Sequence, residues 1–231
     1  ALDAVTSGTD NTAVGDNALG ANTTGADNVA VGSAALLLNS TGDYNVAVGS
    51  IALDAATTAD KNTAIGYATL STLTTGIRNT AVGRSALVNS TASYNTALGS
   101  HALSAQTTGG SNTALGYAAL NALNHTGSEQ GFNVAVGHEA GAVMTTGTGN
   151  TLVGSLAGDS LTTGSSNTVL GYDALSTEDE YGTNTAVGYQ SLKALNAGDN
   201  AYNVAVGFQT GLNISTGIQN TIIGSLAGDA L

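Results

Sequence analysis

The stretch Asn11-Thr12-Ala13-Val14-Gly15 decides how this chain is read. It returns at 28–32, 45–49, 62–66, 79–83, 95–99, 112–116, 133–137, 150–154, 167–171, 184–188, 203–207 and 220–224, always opening on Asn and closing on Gly. Nine of the twelve spacings are 17 residues and the others are 16, 21 and 19. A period of this length marks a solenoid, in which each unit buries its apolar side only by stacking on the next.

Within the unit, the second position is Thr nine times and Val four times, and the fourth is always Val, Ile or Leu. Short β-branched runs closed by Gly read as strands. Side chains alternate along a strand, so the Thr/Val and Val/Ile/Leu rows share one face, with the Asn, Ala and Gly rows on the reverse. The expected fold is mainly β: a parallel β-solenoid (β-roll) of thirteen 17-residue coils running over 1–231 as a single repeat array. At about 4.8 Å per coil it forms a rod roughly 60 Å long. Stacked Asn side chains both donate and accept, so the Asn row is expected to form a hydrogen-bonded ladder at one corner. Asn also tolerates the left-handed backbone that a corner requires. The Gly row marks the opposite corner, where positive φ or close approach excludes Cβ.

The second limb leaves two readings open. Ala-Leu follows the Gly in most copies, as in Ala18-Leu19 and Ala119-Leu120, whereas Gly141, Gly158, Gly211 and Gly228 replace the Leu and a large residue comes three positions later (Met144, Leu161, Ile214, Leu231). A shift of three flips a strand's face and keeps a helix's, so the limb is either a short strand or one helical turn. Both ends of the chain fall inside a repeat, which suggests a window of a longer fibrous protein.

The unit Asn-Thr-Ala-Val-Gly-x-x-Ala-Leu, clearest at 112–120 and 184–192, resembles the repetitive shafts of phage tail fibres and tailspikes. It is also similar to the head repeats of trimeric autotransporter (YadA-like) adhesins, whose Asn-Ser-Val-Ala-Ile-Gly unit winds a left-handed parallel β-roll in each of three subunits. Those coils are shorter and lack the Ala-Leu limb. The resemblance implies a trimeric fibre that holds a binding function out from a cell surface or virion.

Charge narrows the functional classes. Sixteen acidic residues face only Lys61, Arg78, Arg84 and Lys193, a net charge of −12. Four scattered cations make no phosphate-tracking stripe, which argues against nucleic acid as a partner. No stretch approaches ~18 continuous apolar residues, which argues against membrane insertion by a helix in this stretch. Without cysteine there is neither a disulfide framework nor a thiolate metal site.

Candidate chemistry is sparse. His101, His125 and His138 occupy unrelated positions in the repeat and read as isolated surface residues. Asp54, Asp159 and Asp229 share a position without a calcium-binding Gly-Gly-x-Gly-x-Asp repeat. Glu178-Asp179-Glu180 reads as a solvated acidic turn. Insertions lengthen the repeat at 121–132 (Asn124 to Gly131) and 193–202, and such insertions map to loops. Aromatics gather after the Gly (Tyr67, Tyr117, Tyr172, Tyr189, Phe208) and before the Asn (Tyr44, Tyr94, Phe132, Tyr202), in positions suited to subunit seams more than to glycan stacking. Asn22, Asn39, Asn89, Asn124 and Asn213 open glycosylation sequons.

The expectation is therefore a non-enzymatic structural segment of an extracellular, cell-surface or virion fibre, with no catalytic residue, cofactor or metal. The alternative is an ice-binding solenoid presenting its Thr/Val row. The expected partners are further copies, as a parallel homotrimer or else a filament, with a cell-surface glycan or protein as receptor. The Ala row serves in this reading as the assembly stripe, being too small to fill a core and too apolar to face water.

Overall fold

A computed structural model describes residues 1–125, 127, 130–178 and 180–228. Every repeat contributes one three-residue strand: Thr12–Val14 (β1), Val29–Val31 (β2), Val46–Val48 (β3), Thr63–Ile65 (β4), Thr80–Val82 (β5), Thr96–Leu98 (β6), Thr113–Leu115 (β7), Val134–Val136 (β8), Thr151–Val153 (β9), Thr168–Leu170 (β10), Thr185–Val187 (β11), Val204–Val206 (β12) and Thr221–Ile223 (β13). They form one sheet in sequence order, each strand parallel to the next. The register sets like on like, Ala47 beside Ala64 and Ala64 beside Ala81. Neither insertion breaks it: Ala114 still meets Ala135, and Ala186 meets Ala205. The solenoid is as the repeat predicts.

The Asn row forms the expected ladder. The backbone N–H of Asn45 and its Nδ2 both donate to Oδ1 of Asn28, at 2.9 and 3.1 Å, and Nδ2 also donates to the Ala59 carbonyl at 2.7 Å. Asn62 repeats the pattern on Asn45, and Asn79 repeats it on Asn62. These side chains are buried, so the ladder satisfies polar groups that water cannot reach. The left-handed residue at this corner is the one before the Asn, such as Asp27, Tyr44 or Lys61, with φ between 57° and 60°. At the other corner a Cβ on Gly49 would collide with the carbonyl oxygen of Gly66. Consecutive coils pass so closely there that only glycine fits.

The faces are occupied differently from expectation. The Ala row, not the Val/Ile/Leu row, lines the molecule's own core: Ala30, Ala47, Ala64, Ala81, Ala97, Ala114, Ala135, Ala186 and Ala205 are fully buried. The opposing limb supplies the volume. It inserts Leu19, Leu36, Leu53, Leu70, Leu87, Leu103 and Leu120 against them, and a small residue on the strand is what leaves room. The Ala row is thus no assembly stripe.

That limb is neither a strand nor a helical turn. Its residues alternate in the sign of φ: Asn17 (54°) and Leu19 (50°) are left-handed, and Ala18 between them is not. The main chain still bonds from coil to coil, Leu19 N–H to the Ala35 carbonyl and Leu36 N–H to the Ala52 carbonyl, both at 3.0 Å. A left-handed Leu costs about 1–2 kcal/mol, and burying its side chain returns about 1.5–3 kcal/mol. Gly141, Gly158 and Gly211 take the same backbone, φ 57° to 63°, without that cost. The missing volume then returns from Met144, Leu161 or Ile214, all buried, and in the ninth coil from Leu152 in place of the strand Ala. A Cβ on Gly158 would meet Leu161 at 2.8 Å and Leu152 at 3.0 Å. Leu231 and Asp229 lie outside the described residues.

Two substitutions test this account. Replacing Asn62 by Ala removes the acceptor of the Asn79 backbone N–H and the donor to the Gly76 carbonyl. A loss of about 2–4 kcal/mol is expected from the urea midpoint. Ala114→Glu places an unpaired charge in the core and is expected to abolish folding by circular dichroism, whereas Leu115→Glu, on the outward face, leaves the spectrum unchanged.

Candidate functional site

With the Ala row turned inward, the second and fourth strand positions point out. Ile65, Leu115 and Leu170 are 39%, 44% and 49% exposed, and no charged residue occurs in either outward row. The result is an apolar strip with a Thr/Val edge, running the length of the sheet. Contiguous apolar surface of this kind is where soluble proteins commonly make contacts.

Aromatic side chains border the strip. On the corner after the Gly, Tyr172 stacks on Tyr189 (centroids 5.5 Å apart, planes at 15°), and Tyr189 on Phe208 (5.3 Å, 10°). Tyr117 stacks on His138 at 5.2 Å and meets His101 edge-on at 6.4 Å. Rings stacked along the rod cover part of one another's faces. That geometry suits contact with a protein surface better than the face-on stacking of a sugar. On the corner before the Asn, Lys61 lies 5.9 Å from the Tyr44 ring and Arg78 lies 5.7 Å from the Tyr94 ring.

The histidines separate. His101 and His138 flank Tyr117, but His125 is buried, contrary to its reading as a surface residue. The insertion beyond Leu123 displaces the turn, and His125 fills the vacated level. A Cβ on Gly109 would lie 2.6 Å from His125 Nδ1 and 2.5 Å from Gln106 Nε2. Nε2 of His125 bonds the Gly147 carbonyl at 3.1 Å, while Nδ1 and the Gln106 amide have no hydrogen-bond partner among the described residues. The only signal of this in the sequence is the inserted length.

The acidic residues are likewise more engaged than expected. Glu178 is buried and accepts from the backbone N–H of Tyr181 (3.4 Å) and Ala197 (3.3 Å); Glu180 is exposed, and Asp179 and Glu129 lie outside the described residues. Lys193 bridges Asp173 at 2.5 Å, and Gln190 donates to the same carboxylate at 2.9 Å. Desolvation works to raise Asp173, yet hydrogen bonds from Lys193, Gln190 and Ser176 hold it below the usual carboxylate range. Asp159 is pushed up by burial and by the neighbouring charges of Asp173 and Glu139; burial likewise raises Asp54. Among the described residues no three His, Asp or Glu side chains converge on a point where a metal could sit. A recess lined by Ile214, Ser215, Thr216, Gly217 and Asn220 holds no titratable group.

Of the sequon residues, Asn22 and Asn39 are buried and bonded to each other at 2.9 Å, so neither is open to a glycan. Asn89 and Asn213 are exposed. No helix among the described residues is long and apolar enough to cross a membrane. No protein-family model, curated protein or solved structure matches this chain.

Proposed function

We propose that this chain is a structural rod segment of an extracellular or virion fibre, and that its outward sheet face is the surface through which copies assemble. The observation that carries the reading is the uncharged strip of Val, Ile and Leu side chains along the sheet, exposed at Ile65, Leu115 and Leu170 and bordered by aromatics that stack on one another. A scaffold whose strands are hydrogen-bonded from coil to coil and that commits a continuous apolar face to the outside is suited to bearing and joining rather than to catalysis. The face is also regular, so a partner that fits one coil fits the next.

A second reading has its own support. Thr63, Thr80, Thr96 and Thr113 stand in register on consecutive strands, as do Thr151, Thr168 and Thr185, and an array of hydroxyls and methyls is the surface an ice-binding solenoid presents. The neighbouring bulky row and aromatic borders favour protein contact instead.

Light scattering separates the two. The chain is expected to associate at micromolar concentration, and Ile65→Glu is expected to shift it toward monomer while circular dichroism stays unchanged. A monodisperse monomer that arrests ice recrystallisation would transfer the assignment to ice binding.

A further inference from the structure

Six charged side chains border the outward face over β1 to β5, and their order reverses sign about its midpoint. On the corner before the Asn, successive coils carry Asp10, Asp27, Tyr44, Lys61 and Arg78; on the corner after the Gly they carry Asp16, Ser33, Ser50, Tyr67 and Arg84. All six charged residues are exposed, and among the described residues no ion pair within the chain involves them. The segregation is wider than the face. Seven carboxylates and no Lys or Arg precede Lys61, and no carboxylate side chain occurs from Lys61 through His125.

We infer that a second copy of this chain docks on this stretch face to face and antiparallel, about a two-fold axis crossing β3. This rests on the reading of the sheet face as an assembly surface and gives that surface its partner and orientation. An axis lying between two sheets along the strand direction reverses the rod but keeps each corner opposite itself. β1 then faces β5, β2 faces β4, and β3 faces its own copy. Asp10 meets Arg78, Asp16 meets Arg84 and Asp27 meets Lys61, each pair occurring twice, and none of the six faces its like. At the charged pairs lengths match as well as signs. Sheets packed face to face lie about 10 Å apart, a gap that one long side chain and one short one span together. Each cation meets an aspartate and Tyr67 meets Ser33, while at the axis Tyr44 and Ser50 each meet their own copy. In the interior Val14 packs on Val82, Val31 on Ile65 and Val48 on Val48.

A parallel, in-register assembly on the same face lacks this match. Bringing one copy's first corner beside its neighbour's second corner at equal height sets Arg78 against Arg84 and Asp10 against Asp16. The charge order therefore favours the two-fold over the threefold arrangement that the family resemblance implies. The isologous contact closes on itself. Over β1 to β5 it covers about 24 Å of rod, roughly 500 Å² on each copy. Rods projecting from two facing surfaces would meet in this orientation, which makes the pairing suited to attaching like to like.

Sedimentation velocity from about 1 to 200 micromolar, a range that brackets weak interfaces of this size, tests the proposal. Self-association is expected, weakening as salt is raised. Asp16→Arg sets two arginines against each other twice and is expected to weaken association at least about tenfold, while Asp16→Arg combined with Arg84→Asp restores it. In-register parallel assembly predicts the opposite sign, since Asp16→Arg there relieves the repulsion from Asp10; unchanged or tighter association overturns the antiparallel arrangement. An equal mixture of Val31→Cys and Ile65→Cys chains is expected to form a disulfide-linked dimer under mild oxidation, and Val31→Cys alone is not; self-linking of Val31→Cys also overturns it. A monomer throughout the concentration range overturns the assembly reading itself, an outcome distinct from association with the wrong sign.

Discussion

The buried Asn ladder is the constraint from which the coil takes its size. Each rung places an amide oxygen under the backbone N–H of the next Asn and, at most rungs, under its Nδ2 as well, at distances such as 2.9 and 3.1 Å for Asn28 and Asn45. That fixes the rise between coils and forbids slippage, because a slipped coil would strand buried polar groups without water. The Gly corner is set by the same rise. With the spacing fixed at one side of the strand, the main chains at the other approach until a Cβ has no space, as at Gly49 over Gly66. The insertions show the same priority. Asn133 still reaches Asn112 at 3.2 Å across 21 residues, so the extra length is expelled sideways and the ladder is kept.

The core is correspondingly narrow. An Ala on the strand and a Leu from the returning limb fill most levels, and the limb holds that Leu by turning it left-handed. Volume is conserved locally: a Gly at the Leu position is accompanied by a larger residue three places on, and at Leu152 by a larger strand residue as well. With large side chains kept out of the interior strand face, the bulky Val, Ile and Leu residues have only the outside to occupy.

Much of this is legible in the residues themselves. The Asn-x-x-x-Gly period announces parallel strands in register, the donor and acceptor capacity of Asn announces the ladder, and invariant Gly announces a close corner. The inward face is not legible, because the size of an Ala side chain says nothing about what the other limb will bring to it. The limb itself is hidden for a related reason. Left-handed Leu has no local propensity behind it, and only Gly141, Gly158 and Gly211 at the same position hint at the backbone. The burial of His125 is hidden too, because its inserted loop leaves the repeat, and no equivalent position in another coil shows where its side chain goes. The charge order along the face can be written down from sequence, but it acquires meaning only once both corners are known to border one exposed surface.

Main-chain hydrogen bonds that run from coil to coil on both limbs, such as Thr63 to Asn79 at 2.9 Å and Leu53 to Thr69 at 3.0 Å, lie along the length of the rod. Tension applied at its two ends therefore loads these bonds in series, one layer after another, rather than shearing them all together. The layer that yields releases 17 residues, close to 60 Å of extended chain at about 3.5 Å per residue, in exchange for a coil that had spanned about 4.8 Å. Such a rod is stiff under small loads and lengthens in discrete steps under large ones, absorbing a pull at one coil while its neighbours keep their register.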